Sequence, residues 1–132
     1  MYIREIVEQI SAKRLWLQGK TIGLIGPLGA GKTFFVKTLL EKWEPDLVNQ
    51  VSSPSFTVCN IYTTENLTVR HFDFYRLKSP EELEEIGFYE YIDEPEGINI
   101  IEWVDIFEET VSLCDLIIHI QIDADGNHIY TI

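Results

Sequence analysis

Apolar positions in the first part of the chain recur at helical spacing. Ile3, Ile6, Val7, Ile10 and Leu17 form one stripe, with Arg4, Glu5, Glu8 and Lys13 on other faces. That pattern predicts an amphipathic helix up to about Leu17. After the turn "QGK", the short apolar run "TIGLIG" predicts a buried strand. "GPLGAG" is a glycine loop, and "KTFFVKTLLEKW" is a helix that stops before Pro45. From Phe56 to Tyr75 two β-rich runs, "FTVCNIYTT" and "LTVRHFDFY", flank the turn-prone "EN", which predicts an antiparallel hairpin. "SPEELEEIG" predicts a short helix with Ser79 as its cap, Pro80 in its first turn and Gly87 at its end. "INIIEW" and "LIIHIQID" predict further strands, and "DADGN" the turn into a last strand, "HIYTI".

Length and charge then narrow the field. A chain of 132 residues is expected to form one domain, residues 1–132, with little room for a separate substrate domain. Ten basic residues against twenty-two acidic ones give a formal charge of -12, which argues against a free-standing nucleic-acid binder. Cys59 and Cys114 show no metal-ligand spacing and are expected to be reduced thiols. No run has the length of a signal peptide or a membrane span, so a soluble cytoplasmic protein without membrane contact is expected.

The densest chemistry lies at "GPLGAGKT", Gly26 to Thr33, which meets the pattern G-x-x-x-x-G-K-[ST] between a predicted strand and a predicted helix. Phosphate oxygens carry charge that must be met at close range. Backbone N–H groups of Leu28, Gly29, Ala30 and Gly31 can curl around them while the helix N-terminus adds its partial positive charge. Lys32 can reach the β- and γ-phosphates, and the Thr33 hydroxyl can ligate Mg²⁺. The setting predicts an α/β fold, a P-loop NTPase-like three-layer sandwich whose mixed sheet includes antiparallel hairpin strands. ATP is favoured over GTP because no N-K-x-D stretch is present to read guanine. A D-x-x-G match at Asp123 to Gly126 reads as a hairpin turn rather than a catalytic loop.

Two acids compete for the metal. Glu102 ends the apolar run "INII", where a parallel sheet presents a side chain to the crevice at its carboxyl edge. Asp73 follows "VRHF", in which Arg70 and His71 interrupt the apolar pattern. Asp73 is therefore expected on a half-exposed strand, facing solvent or a cation. In "VSSPSF", Ser53 and Ser55 are candidates for a hydroxyl that senses the γ-phosphate, with Pro54 holding Ser53 extended.

Taken together, "GPLGAGKTFF", "SSPSFT", "HFDFYRL", "PEELEEIGFYEY" and "IIEW" resemble, in order and spacing, the TsaE (YjeE) family of small P-loop ATPases of bacterial tRNA threonylcarbamoyladenosine synthesis. The likeness runs from Gly23 to Trp103 and more loosely on both sides. It implies an enzyme that binds ATP and Mg²⁺ and hydrolyses ATP weakly alone. Such an enzyme depends on a TsaB–TsaD complex, the component that carries out the transfer to tRNA, so tRNA is met only through the partner. By family position Lys32 and the loop hold phosphates, Thr33 and Glu102 hold the metal, and Asp73 lies near the site and is needed for activity. Trp103 is expected to pack. Ser55 stands where relatives carry Thr, Pro27 where many carry Asp, and Val104 where Pro is common. Tyr2, Ile3 and the Gly126 turn fall where the family approaches adenine.

Lys32, Asp73 and Glu102 are thus the expected catalytic residues. The phosphate and nucleotide contacts are expected from Leu28, Gly29, Ala30, Gly31, Lys32, Thr33, Ser55 and Gly126. No arginine stands out as a finger, and the source of one is left open, a partner being one candidate. Two other readings remain open, a small P-loop metabolite kinase and a nucleotide-gated binding module with incidental hydrolysis.

Overall fold

The computed structural model describes residues 1–132. Its elements run α1 (Ile3–Ser11), β1 (Thr21–Ile25), α2 (Lys32–Trp43), β2 (Cys59–Thr63), β3 (Thr68–Asp73), α3 (Glu81–Glu85), α4 (Phe88–Ile92), β4 (Ile98–Glu102), α5 (Glu108–Ser112), β5 (Leu116–Ile122) and β6 (His128–Thr131), with short 3-10 turns at Pro45–Gln50 and Val104–Ile106. All six strands join one sheet in the order β2-β3-β4-β1-β5-β6. The inner four, β3, β4, β1 and β5, are parallel, and β2 and β6 close the two edges antiparallel. This is the mixed-sheet, P-loop NTPase-like α/β arrangement that the sequence predicts.

Layering follows from strand alternation. Ile100 of β4 belongs to a cluster of 20 buried residues that includes Ile6, Val7 and Ile10 of α1 and Phe35, Leu39 and Leu40 of α2. Its neighbour Ile101 points the other way, into a cluster of 7 with Phe72, Phe74, Leu83, Phe88, Val104 and Phe107. Aromatic rings fill that thinner side: Phe88 meets Phe72 and Phe74 edge-on at centroid distances of 5.3 and 5.2 Å. Covered on both faces, β4 buries all of Ile98–Glu102, which is why its sequence is mostly apolar, with the one polar residue before Glu102, Asn99, hydrogen-bonded to Arg70.

Three local expectations change. The first helix is regular only to Ser11; hydrogen-bonded turns then carry Leu17 into the core and leave Leu15 89% exposed. The Ser79 hydroxyl caps nothing; instead the Glu82 carboxylate accepts the N–H groups of Lys78 and Ser79 at 2.6 and 3.1 Å. The third concerns β3. It does pair with β2 as a hairpin, but its other edge pairs with β4, and Val69 to Asp73 are all buried. Asp73 therefore does not face solvent, and it forms no ion pair. The polar residues that looked like signs of exposure are inside with partners: Arg70 donates to Asn99 Oδ1 at 3.2 Å and to the Glu96 carbonyl at 3.1 Å.

The sheet's centre has no slack at Gly23 of β1. A Cβ there would lie 2.8 Å from Cys114 Sγ, Ile117 Cδ1 and Val104 Cγ1, atoms of two separate stretches of chain. Gly23→Ala is expected to cost about 1–3 kcal/mol through overpacking. It would appear as a lower urea midpoint with an unchanged slope; a wild-type midpoint would contradict the packing described.

Candidate functional site

Parallel pairing brings the two acids together. β3 and β4 end in register, Asp73 beside Glu102, and Leu24 of β1 pairs with Glu102 on the other side. Beyond β1 the chain enters the glycine loop. Gly31 has φ +103°, a left-handed conformation suited to glycine, and N-caps α2 without any side-chain hydrogen bond. The first-turn N–H groups of this twelve-residue helix are thus not taken by a cap, the condition for receiving an anion. A Cβ on Gly31 would lie 3.1 Å from the Tyr130 hydroxyl, so the approach of β6 also requires glycine there. From the same strand His128 Nδ1 donates to the Ala30 carbonyl at 2.6 Å and steadies the loop.

A cavity of about 420 Å³ opens at this edge. One wall is Leu28, Gly29, Ala30, Gly31, Lys32 and Thr33, and the other includes Ser53, Ser55, Asp73 and Glu102. A second cavity, of about 580 Å³, adjoins it through Gly29, Gly31 and Phe34 and reaches Tyr2, Ile3 and Gly126. The residues proposed from sequence thus fall on two connected cavities. The Gly126 turn is a hairpin turn, built on Asp123, whose carboxylate accepts the N–H groups of Asp125 and Asn127 at 2.9 and 2.8 Å.

Within the first cavity, Thr33 and Glu102 are already in contact. The Thr33 hydroxyl lies 3.0 and 2.8 Å from the two Glu102 carboxylate oxygens and donates to them. His71, fully buried, places Nε2 2.5 Å from Glu102 Oε2, and its Nδ1 lies 2.9 Å from the Tyr62 hydroxyl. That hydroxyl in turn lies 3.2 Å from the Ser52 carbonyl. Asp73 accepts the Tyr75 N–H at 2.9 Å and the Ser53 hydroxyl at 3.3 Å. Burial pushes the Asp73 carboxyl above its ordinary range, against those two hydrogen bonds, and the nearby Glu102 charge adds to the rise. The Ser52–Ser53 segment therefore touches both acids, Asp73 directly and Glu102 through Tyr62 and His71.

Lys32 is 5% exposed and folds back on its own loop, donating to the carbonyls of Gly26 and Pro27 at 2.6 and 2.8 Å. Its ammonium also sits 4.0 Å from the centroid of the Trp103 ring. Burial lowers the Lys32 pKa, although Glu102, Asp73 and Asp105 pull the other way. Trp103 itself has φ +58°, a left-handed conformation uncommon for a residue with a side chain. Its role goes beyond the packing expected of it, since its face covers the site's lysine. The two thiols take no part: burial pushes Cys59 up to about 11 and Cys114 up to about 12, so neither ionises near neutrality.

Sequence reasoning missed His71, Tyr62, Tyr75 and Arg76, the last two being cavity-wall residues. A polar residue between apolar neighbours on a doubly paired strand was the available signal for His71.

The chain as a whole is similar to known proteins. Residues 3–129 match the family model described as threonylcarbamoyl adenosine biosynthesis protein TsaE. The tRNA threonylcarbamoyladenosine biosynthesis protein TsaE of Aquifex aeolicus is 36% identical over 118 residues, 89% of this chain and 78% of that protein. The protein of the same name from Treponema pallidum is 34% identical over 119 residues, 90% of this chain and 85% of that one. The Rickettsia felis protein is 40% identical over 89 residues, 67% of this chain, and the chain spans only 50% of that relative's length. The crystal structure of Bacillus subtilis YdiB aligns with a TM-score of 0.64 at 25% identity, over 97% of this chain and 77% of that one. With a family match along nearly its whole length and a P-loop-like fold shared with YdiB, the chain belongs to the TsaE family of threonylcarbamoyl adenosine biosynthesis proteins.

Proposed function

We propose that this chain is a Mg²⁺-dependent ATPase, weak alone, that serves tRNA threonylcarbamoyladenosine synthesis by acting on a TsaB–TsaD complex in the cytoplasm. The observation that carries the reading is the contact of Thr33 with both Glu102 oxygens beside Lys32, at the carboxyl edge of a parallel sheet. A hydroxyl and a carboxylate converging beside a phosphate loop suit Mg²⁺, which binds through one or two protein oxygens and keeps the rest for water and phosphate. No cluster of three or more His, Cys, Asp or Glu is needed for that, and none is present. Thr33 and Glu102 would hold the ion, which when bound neutralises charge on the β- and γ-phosphates.

The remaining steps belong to the chain's own groups. The α2 N-terminus and the loop amides receive the phosphates, and Lys32 exchanges the carbonyls of Gly26 and Pro27 for phosphate oxygens. The oxygen of a water bonds to the γ-phosphorus as the bond to the β–γ bridging oxygen breaks, and that electron pair stays with ADP. Asp73 accepts the water's proton and passes it to solvent. A carboxyl pushed up by burial is a better base for this than an exposed one. His71 is a positioning residue, holding from β3 the same Glu102 Oε2 that Thr33 reaches from α2. The second cavity, with Tyr2, Phe34 and Gly126 on its walls, is offered as the adenine end. The -12 charge supports docking to a partner that carries basic surface for tRNA, and disfavours direct tRNA binding by this chain.

Phosphate release from ATP, with and without the TsaB–TsaD complex, tests the proposal. Release that the complex does not raise contradicts the coupling, and transfer of label from ATP to a metabolite would make the chain a kinase. Lys32→Ala is expected to weaken ATP binding about 10–100-fold, the loss of a charge-assisted contact, and to abolish hydrolysis. Unchanged affinity in calorimetry would contradict the phosphate assignment.

Asp73→Asn should slow phosphate release by about 10²–10⁴-fold while ATP still binds. It should also raise the melting temperature at neutral pH. An acid whose folded pKa lies above its unfolded value destabilises the fold once ionised, so stability falls as pH rises through the raised pKa. The variant's advantage should therefore shrink as pH drops from neutrality towards 3.8, the ordinary value for this carboxyl. Equal melting of the two proteins at neutral pH would count against the buried, ionised Asp73.

A further inference from the structure

The cavity wall opposite the phosphate loop carries a cation that the proposed chemistry has not used. Arg76 lies three residues beyond Asp73, past the end of β3, and lines the same cavity as Lys32, Thr33 and Glu102. Lys32 and Arg76 are the two basic side chains on that lining. The chain has twenty-two acidic residues, yet Arg76 pairs with none of them; its ion pairs are Arg14–Glu44, Lys42–Glu8 and His71–Glu102. The Arg76 guanidinium instead rests 4.4 Å from the centroid of the Phe56 ring, and that ring is 82% exposed.

The segment holding Phe56 is bound to the site and strained. Ser53 Oγ donates to Asp73 at 3.3 Å, and the Val58 carbonyl accepts the Asp73 N–H at 2.9 Å, so both ends meet the same acid. Val58 has φ +67°, a left-handed conformation that a β-branched residue rarely adopts. Segments held in such conformations are found at switch regions, where a second arrangement relieves the strain.

We propose that Arg76 is a catalytic cation supplied by the chain itself, parked on Phe56 in the structure described and donating to γ-phosphoryl oxygens during hydrolysis. The assignment rests on the ATPase reading above. An exposed contact with an aromatic face is readily exchanged for charge-assisted hydrogen bonds, and a guanidinium fork matches two phosphate oxygens at once. Arg76 makes and breaks no covalent bond. While the water oxygen bonds to the γ-phosphorus and ADP departs with the bridging oxygen's electron pair, it stabilises the charge on the equatorial oxygens. The arginine then comes from this chain rather than from a partner, and the partner's part becomes favouring the arrangement in which Arg76 leaves Phe56.

The test uses the full chain with Mg²⁺ and the TsaB–TsaD complex and compares wild type, Arg76→Ala and Arg76→Lys. Binding of ADP and of ADP with aluminium fluoride is measured by calorimetry, and phosphate release in a single turnover. Arg76→Ala is expected to bind ADP within about twofold of wild type, which also shows that it is folded. It should lose the wild type's preference for ADP–aluminium fluoride over ADP and release phosphate about 10²-fold or more slowly. Arg76→Lys keeps the charge without the fork and should recover less than a tenth of the lost rate. An Arg76→Ala protein with wild-type release and an intact fluoride preference overturns the proposal. Equal losses in ADP affinity and in rate also overturn it, because they make Arg76 a ground-state contact. A wild-type chain that binds no adenine nucleotide removes the ATPase reading itself, and Arg76 with it.

Discussion

A carboxylate at the end of a central, doubly covered strand must be paired, and much of this structure is arranged around pairing Glu102. Left alone in that position it would cost several kcal/mol. Thr33 reaches it from the first turn of α2 and His71 from β3, so one side chain ties the phosphate loop to the neighbouring strand. The position of α2 over the sheet, the register of β3 against β4 and the orientation of the Thr33 hydroxyl are thereby set together. A ligand that takes the Thr33 hydroxyl away from Glu102 necessarily acts on all three.

The same constraint explains where sequence patterning succeeded and where it failed. The β1–loop–α2 unit was legible because each of its parts has a local cause: an apolar run, glycines at the loop, a lysine and a hydroxyl at fixed offsets. Glu102 was legible because it stands at the end of a mostly apolar strand. Asp73 was found as a residue and misplaced as an environment. Its strand carries Arg70 and His71, and period-2 reasoning takes such residues as signs of an open face. Polar residues can equally sit inside when the fold brings them partners, and those partners, Asn99, Glu96, Tyr62 and Glu102, come from other elements. No window of local sequence contains that information. Arg76 was passed over for a related reason, since only the turn beyond β3 sets it against the cavity wall.

Lys32 shows how a glycine loop can keep a buried charge in place. Two loop carbonyls and the Trp103 face hold an ammonium that is almost wholly removed from water. Each of these contacts is weaker than a charge-assisted bond to an anionic oxygen, so the side chain is held without being trapped. The left-handed backbone of Trp103 is what swings the indole over the lysine directly after β4 ends.

The Tyr62–His71–Glu102 chain has a consequence for protein engineering. Thermostabilisation commonly replaces buried polar side chains with apolar ones of similar volume. Tyr62 and His71 would both be chosen by that rule, being 2% and 0% exposed. Here the substitution would remove the group that holds Glu102, leaving a carboxylate with half its support in a dry interior. The residues that look most improvable as core are therefore the ones whose replacement would reach the candidate site.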